Sequence, residues 1–264
     1  MDYLERARRV FDIELQEAAA VCSRLNEDFT KAVDLIKTAV ESRGKVVILG
    51  VGKSGHIGEK IAATLASTGS PAVVLNSLNA LHGDLGVVAD GDVVLALSYS
   101  GETEELLAVL PAFVRMGLPI LAITGDIHST LAMAAAAVLD VKVSQEACPL
   151  NLAPTSSSTA MLVLGDALAM TLLEARGFQK EDFARFHPGG SLGRGLLLRV
   201  HQIMRPVSEL AILSAQDTVL EAVRAMTARR AGAAVCVSVE GKLDGMFTHG
   251  DFSRHFPANP DIGP

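Results

Sequence analysis

Apolar residues recur at three- and four-residue steps through the N-terminal segment. Phe11, Leu15, Ala18, Ala19, Cys22 and Leu25 form one series, and Phe29, Val33 and Ile36 form another. Residues 3–42 are therefore expected to be helical, with a break at Asn26 to Asp28. The pattern then changes to short continuous apolar runs. Val46-Val47-Ile48-Leu49, Ala72 to Leu75, Val93 to Leu97, Ile120 to Ile123 and Val138 to Val143 read as strands buried on both faces. Between them lie stretches that suit helices: Gly58 to Ser67, Thr103 to Met116 and Ser129 to Ala137. A long apolar-faced helix is expected from about Ser157 to Ala175, closed by Gly177. Such alternation implies a parallel sheet covered on both faces, that is, a three-layer, doubly wound α/β domain reaching about residue 190.

From Gln202 onward the pattern differs. Met204-Arg205-Pro206 reads as a linker or domain entry, and Thr218-x-x-Glu221 has capping-box spacing ahead of Val223 and Met226. Ala234-Val235-Cys236-Val237 and Leu243 to Phe247 then frame Glu240-Gly241-Lys242, a hairpin turn. A segment of about 60 residues folds only marginally alone, so this small α+β piece is expected to need a partner.

Composition narrows the classes. With 49% hydrophobic and 20% charged residues, a sizeable core is available and wholesale disorder is excluded. The longest uninterrupted apolar run, Leu131 to Leu139, is far shorter than the roughly 20 residues of a membrane span. Charge begins at once in Asp2-Tyr3-Leu4-Glu5-Arg6, unlike a signal peptide. Cys22, Cys148 and Cys236 form no C-x-x-C pair, which argues against a disulfide framework or a structural zinc site. A net charge of −7 offers no basic footprint for nucleic acid. The expectation is a soluble, cytoplasmic protein that acts on small molecules, without a membrane or nucleic-acid partner.

In an open parallel sheet the chemistry sits beyond the carboxyl ends of the strands. The first such turn, Gly50-Val51-Gly52-Lys53-Ser54-Gly55, fits G-x-G-x-x-G. However, Leu75-Asn76-Ser77 stands where a dinucleotide site would carry its ribose-binding acid. A phosphate or sugar loop, with Lys53 as a charged ligand, fits better. Ser98-Tyr99-Ser100-Gly101-Glu102-Thr103 runs into a helix start, where hydroxyls, amides and dipole suit a phosphate. The same holds for Pro154 to Thr159, where Ser156 lies. Glu105, Glu146, His82 and His187 flank these loops. Two acids, two imidazoles and a lysine beside phosphate-type turns suit proton transfer on a phosphorylated sugar.

These residues resemble a sugar isomerase (SIS) domain: Gly50-x-Gly-Lys-Ser-Gly55, Ser98-x-Ser-Gly-x-Thr103 and His82-Gly-Asp-Leu-Gly86. With Glu146-Ala-Cys-Pro-Leu-x-Leu-Ala-Pro-Thr-Ser-Ser157 and His187-Pro-Gly-Gly-x-Leu-Gly-Arg194, the chain is similar to the D-arabinose 5-phosphate isomerase family. The resemblance implies interconversion of D-ribulose 5-phosphate and D-arabinose 5-phosphate, a step toward Kdo for lipopolysaccharide or capsule. The chain is then expected to divide into a helical segment at 1–42, the SIS domain at 43–195 and, at 201–264, a segment that resembles one unpaired CBS motif. In that last segment Gly245-Met-Phe-Thr248-x-x-Asp251 resembles the CBS nucleotide turn, so a nucleotide or CMP-sugar is the candidate effector.

Carried over by resemblance, Lys53, Glu105, Glu146 and His187 are the expected catalytic set. Ser54, Gly69, Ser70, His82, Ser98, Ser100, Thr103, Lys142 and Ser156 are the expected substrate contacts. Asn76 stands where the family often has a histidine linked to inhibitory zinc, so no metal is expected, and no cofactor either. Tyr99 replaces a more usual asparagine and Asn79 a usual glutamate. The chemistry needs a base beside the carbon, which is Glu146 or Glu105. His187 would open the ring or carry oxygen protons, and Lys53 would stabilise the oxyanion. A homotetramer is expected, with His187 completing a neighbour's site. The competing readings are a sugar-phosphate sensor without catalysis and an isomerase of another sugar phosphate.

Overall fold

The computed structural model describes residues 2–187, 195 and 199–255. They fall into two compact units, Met1–Leu197 and Leu198–Pro264. The first opens with two helices, α1 (Tyr3–Ser23) and α2 (Glu27–Glu41), capped by the side chains of Asp2 and Asn26. Next come β1 (Val46–Gly50), α3 (Lys53–Ser67), β2 (Ala72–Val74), α4 (Ser77–Ala80), β3 (Val93–Leu97), α5 (Glu104–Leu107) and α6 (Leu110–Arg115). The unit continues with β4 (Ile120–Thr124), α7 (Thr130–Ala134), β5 (Ala137–Asp140), α8 (Ser156–Ala175) and α9 (Lys180–Phe186).

The sheet order is β2-β1-β3-β4-β5, and every pair is parallel. Alternate residues of each strand serve opposite faces. Val46, Ile48, Leu95 and Ile123 pack under α2, α3 and α8, while Val47, Leu49, Val94 and Ala122 meet Leu106, Phe113 and Leu131. The chain order reverses between β1 and β3, which opens a crevice beyond their carboxyl ends where ligands of doubly wound sheets bind. At the other edge Asp92, almost fully buried, accepts from Lys45 Nζ at 2.7 Å and from the amides of Lys45 and Ala89.

Three sequence expectations shift. The helix expected over Thr103 to Met116 is two short ones, because Pro111 offers no amide to continue the first. The helix expected over Ser129 to Ala137 stops at Ala134, and the strand expected over Val138 to Val143 runs Ala137–Asp140, since Ala137 pairs with Leu121 in the sheet. The N-terminal segment is helical, but the apolar series on α1 faces outward: Phe11 is 68% exposed and Leu15 65%. Its packed face carries Glu17 and Val21 instead. Among the described residues only α8 is long and apolar enough by composition to cross a membrane, and half of it is buried in this core.

The second unit contains α10 (Val200–Ile203), β6 (Ala211–Leu213), α11 (Val219–Ala228), β7 (Ala233–Val237), β8 (Leu243–Thr248) and α12 (His249–His255). Its sheet order is β6-β7-β8, with the last pair antiparallel across the turn at Gly241. The capping box at Thr218 forms, with Thr218 N donating to Glu221 and Glu221 N to Thr218 Oγ1. Its core among the described residues is small: Ala211, Met226 and Ala234.

Helix α8 crosses α3 at Gly165, where an added Cβ would lie 2.3 Å from Ile61 Cδ1. Gly165→Ala gains about 1 kcal/mol of helix propensity against about 1–3 kcal/mol for overpacking a filled core. Its thermal midpoint is expected to fall. A midpoint at or above that of the parent chain would mean that Ile61 swings aside without cost.

Candidate active site

Three loops meet at the crevice. Gly52 takes φ +58 to turn the chain from β1 into α3, and a Cβ on Gly50 would come within 2.8 Å of the Ser54 backbone. Glycine at both places lets the loop close tightly over the strand end. The structure starts α3 at Lys53, five residues earlier than the periodicity suggests. Lys53 and Ser54 line a cleft of about 190 Å³ together with Tyr99, Ser157, Ser158 and Met161. The Lys53 side chain is exposed and, among the described residues, has no bonded partner.

The loop after β3 is folded upon itself. Ser98 is buried, its hydroxyl 2.7 Å from Thr103 Oγ1, and it accepts the Gly101 amide at 3.0 Å. Ser98 therefore shapes the loop, and Ser100, which accepts the Glu102 amide, stays exposed. The helix that follows has only four residues. Any anion here is met by hydroxyls and loop amides rather than by a long helix dipole. Glu105, in that short helix, is half-buried, and no described residue bonds its carboxylate.

The head of α8 is already filled by Glu146. Its Oε2 accepts the Thr155 amide at 2.7 Å, Thr155 Oγ1 at 3.0 Å and the Ser157 amide at 3.2 Å, and its Oε1 accepts Ser157 Oγ at 2.5 Å. Burial, the largest single influence, pushes the carboxyl up. The Ser157 hydroxyl, the Thr155 and Ser157 amides and the Thr155 hydroxyl together pull it below the ordinary glutamate range. The hydroxyl-rich turn that the sequence suggests for phosphate thus holds the protein's own carboxylate. Ser156 lies inside it with 0% exposure, and its hydroxyl has no partner among the described residues. Thr155 and Ser157 as the grip on Glu146, and Tyr99 as a wall of the cleft, are roles that no sequence signal marks.

The remaining expected residues divide. His82, exposed, follows α4 at the strand exits, and Lys142 follows β5, its carbonyl accepting from Arg24. Gly69 and Ser70 lie at the opposite edge, before β2. There Arg176 donates to Gly69 O at 2.7 Å and Ser70 Oγ at 2.8 Å. Phe178 and Phe186 pack over Gly69, so the adjoining His187 is at that edge too. Its ring stacks on Phe183 at 3.9 Å, with Nδ1 3.0 Å from the Phe183 carbonyl. Within one chain the structure does not bring Gly69, Ser70 or His187 to Glu146. Residues 188–194 of the glycine-rich stretch lie outside the described residues. Among those described, no three His, Cys, Asp or Glu residues converge as a metal set.

Because the Glu146 carboxyl is lowered, its grip stabilises the fold fully above the ordinary glutamate value of about 4.3. That contribution is lost as pH falls through the group's own lower value. Ser157→Ala removes one donor. The gap in thermal midpoint between the two proteins is expected to be widest above about pH 5 and to close as the carboxyl protonates in acid. A gap independent of pH would mean that the hydroxyl matters for packing alone.

Comparison with known proteins adds lineage to this geometry. Residues 40–171 match the SIS domain family. Over 262 residues, 99% of this chain and 79% of the relative, the sequence is 47% identical to arabinose 5-phosphate isomerase KdsD of Pseudomonas aeruginosa. It is 45% identical over 251 residues to arabinose 5-phosphate isomerase GutQ of Escherichia coli K12, covering 95% of this chain and 77% of that one. Among solved structures, an E. coli CFT073 protein in complex with arabinose 5-phosphate superposes with a TM-score of 0.67 at 41% identity, covering 71% of this chain and 98% of that one. A phosphosugar isomerase involved in capsule formation from Bacteroides fragilis gives 0.68 at 34% identity, covering 71% and 98%. With its topology, crevice and loop residues on that template, the chain belongs to the SIS-domain family of arabinose 5-phosphate isomerases.

Proposed function

We propose that the chain interconverts D-ribulose 5-phosphate and D-arabinose 5-phosphate through an enediol. The observation that carries this is the near full-length identity to named isomerases, joined to a carboxylate bonded to Ser157, a residue of the cleft that Lys53 lines. Glu146 shares Ser157 with the cleft that Lys53 lines, and we assign it the proton on carbon. Its Oε2 is saturated by three donors, whereas Oε1 accepts only one. Oε1 therefore keeps a lone pair for the substrate. The donors cost basicity, at most about 1.4 kcal/mol per unit of pKa. In return they fix the acceptor's direction, and orientation can be worth about 7–11 kcal/mol of a barrier. Lys53 supplies positive charge for the enediolate oxygen. Ser54, Ser100 and Thr103 hold the 5-phosphate. Glu105 is the second carboxylate, handling oxygen protons with His187.

His187, Gly69 and Ser70 belong, in this reading, to the site of a neighbouring subunit in a homotetramer. The outward apolar series of α1 supports such an assembly, since Leu4, Phe11 and Leu15 are unusually exposed. The segment after residue 198 we read as one CBS-type motif, given its β-α-β-β-α order. Its small core would be completed by the same motif of another subunit, with a nucleotide or CMP-sugar as effector. The enzyme would act in the cytoplasm, at a step toward Kdo.

The test is an isomerase assay with ribulose 5-phosphate on the parent chain and on Glu146→Gln and Glu105→Gln. Loss of the carbon base costs about 10²–10⁴-fold in kcat, and the larger loss is expected for Glu146→Gln. The reverse order would exchange the two roles. Absence of arabinose 5-phosphate with the parent chain would overturn the function. A monomer on sizing that is fully active would overturn the shared site.

A further inference from the structure

Glu17 is a carboxylate that the proposed reaction does not use, yet it is 6% exposed. It sits in the middle of α1, on the face that packs against the domain. Its Oε2 accepts the Ser144 amide at 2.8 Å and its Oε1 accepts the Ser144 hydroxyl. No lysine, arginine or histidine among the described residues pairs with it. A buried carboxylate whose donors both come from one serine is costly to the fold, and that serine stands two residues before Glu146. The neighbouring Val143 is held from the other side, its amide donating to Tyr99 Oη at 3.2 Å. Helix α1 also reaches the two walls of the Glu146 cradle. Arg24 donates to Asp140 at 2.9 Å where the loop begins, and Thr159 Oγ1 donates to Glu14 at 2.6 Å in the first turn of α8.

We infer that Glu17 is a positioning residue for the isomerase reaction: it fixes Ser144, and through it the approach of Glu146 to the head of α8. The inference rests on the assignment of Glu146 as the base. It makes α1, whose outward face carries the exposed apolar series, part of the catalytic apparatus through its inward face. Without this hold the stretch from Val143 to Glu146 would keep only its end anchors, Tyr99 at Val143 and Asn151 Oδ1 on the Glu146 amide, and the carboxylate would lose its register with Thr155 and Ser157. Two effects follow together. The acceptor is misaimed, and the donors that keep it ionised are weakened, so protonation of Glu146 moves to higher pH. Other charged or titratable groups facing Glu146 are Arg6 and Arg9 of α1 and Cys148 of its own loop, which line one cavity with it. All three are unchanged by the substitution below.

The experiment compares Glu17→Gln, Glu17→Asp and Glu17→Ala with Lys45→Met. The last breaks the buried Lys45–Asp92 pair at the far edge of the sheet and serves as a purely structural control. A misplacement of about 1 Å costs on the order of 100-fold in rate, so Glu17→Gln is expected to lower kcat by about 10- to 100-fold. KM for ribulose 5-phosphate should stay within about twofold, and the acidic limb of the kcat profile should move to higher pH. Glu17→Asp should recover part of the rate, and Lys45→Met should lower the thermal midpoint without moving the profile. Parent-like kcat and pH profile in Glu17→Gln would overturn the inference. So would losses in all Glu17 variants that merely track thermal midpoint as Lys45→Met does. Glu146→Gln is assayed alongside: if it turns over normally, the assignment of the base fails, whereas an inactive Glu146→Gln beside an unaffected Glu17→Gln fails the positioning role alone.

Discussion

A helix of 20 residues that begins at the rim of a sheet must find acceptors for its first amides. Here Glu146 supplies them. One carboxylate joins the segment leaving β5 to the start of the core helix, and thereby determines where the crevice wall stands, which hydroxyls remain available and where a negative charge is fixed. Helix α8 in turn packs along α1 and α3, so the contact also sets how α1 rests on α8 and how α8 and α3 meet over one face of the sheet. Remove it, and the first amides of α8 would be left without their acceptor.

Much of this architecture could be read before any coordinates, because fully apolar strands separated by helical stretches leave few alternatives to a covered parallel sheet. β3 runs from Val93 to Leu97 as its uninterrupted apolar pattern implies, and the glycine turn before Lys53 is where the motif places it. The failures have physical causes. Alanine-rich sequence such as Leu131 to Leu139 carries no period, so only pairing with β4 decides where helix yields to strand. On α1 the apolar series pointed to the wrong face. The side that packs on the domain sets Val21 beside Glu14 and Glu17, whose bonds to Thr159 and Ser144 leave no mark in a period that records hydrophobicity alone.

The site was legible as a set of residue types but not as an arrangement. Serine and threonine around Ser98 and around Ser156 look alike in sequence. In space, one loop spends its hydroxyls on its own closure and the other spends them on Glu146. Nothing in the sequence tells that Arg176 holds Gly69 and Ser70 at the opposite rim of the same chain. A side chain's partner across more than a hundred positions, as with Ser144 and Glu17, leaves no local trace.

The placement of His187 and Glu146 on opposite rims of one sheet bears on inheritance. Strands of five residues separate the rims by about 16 Å, so a shared centre would draw its two halves from different polypeptides. Defective alleles would then fall into two groups. A cell carrying one of each could assemble hybrid particles in which some centres receive both intact halves, and activity would return without any intact gene.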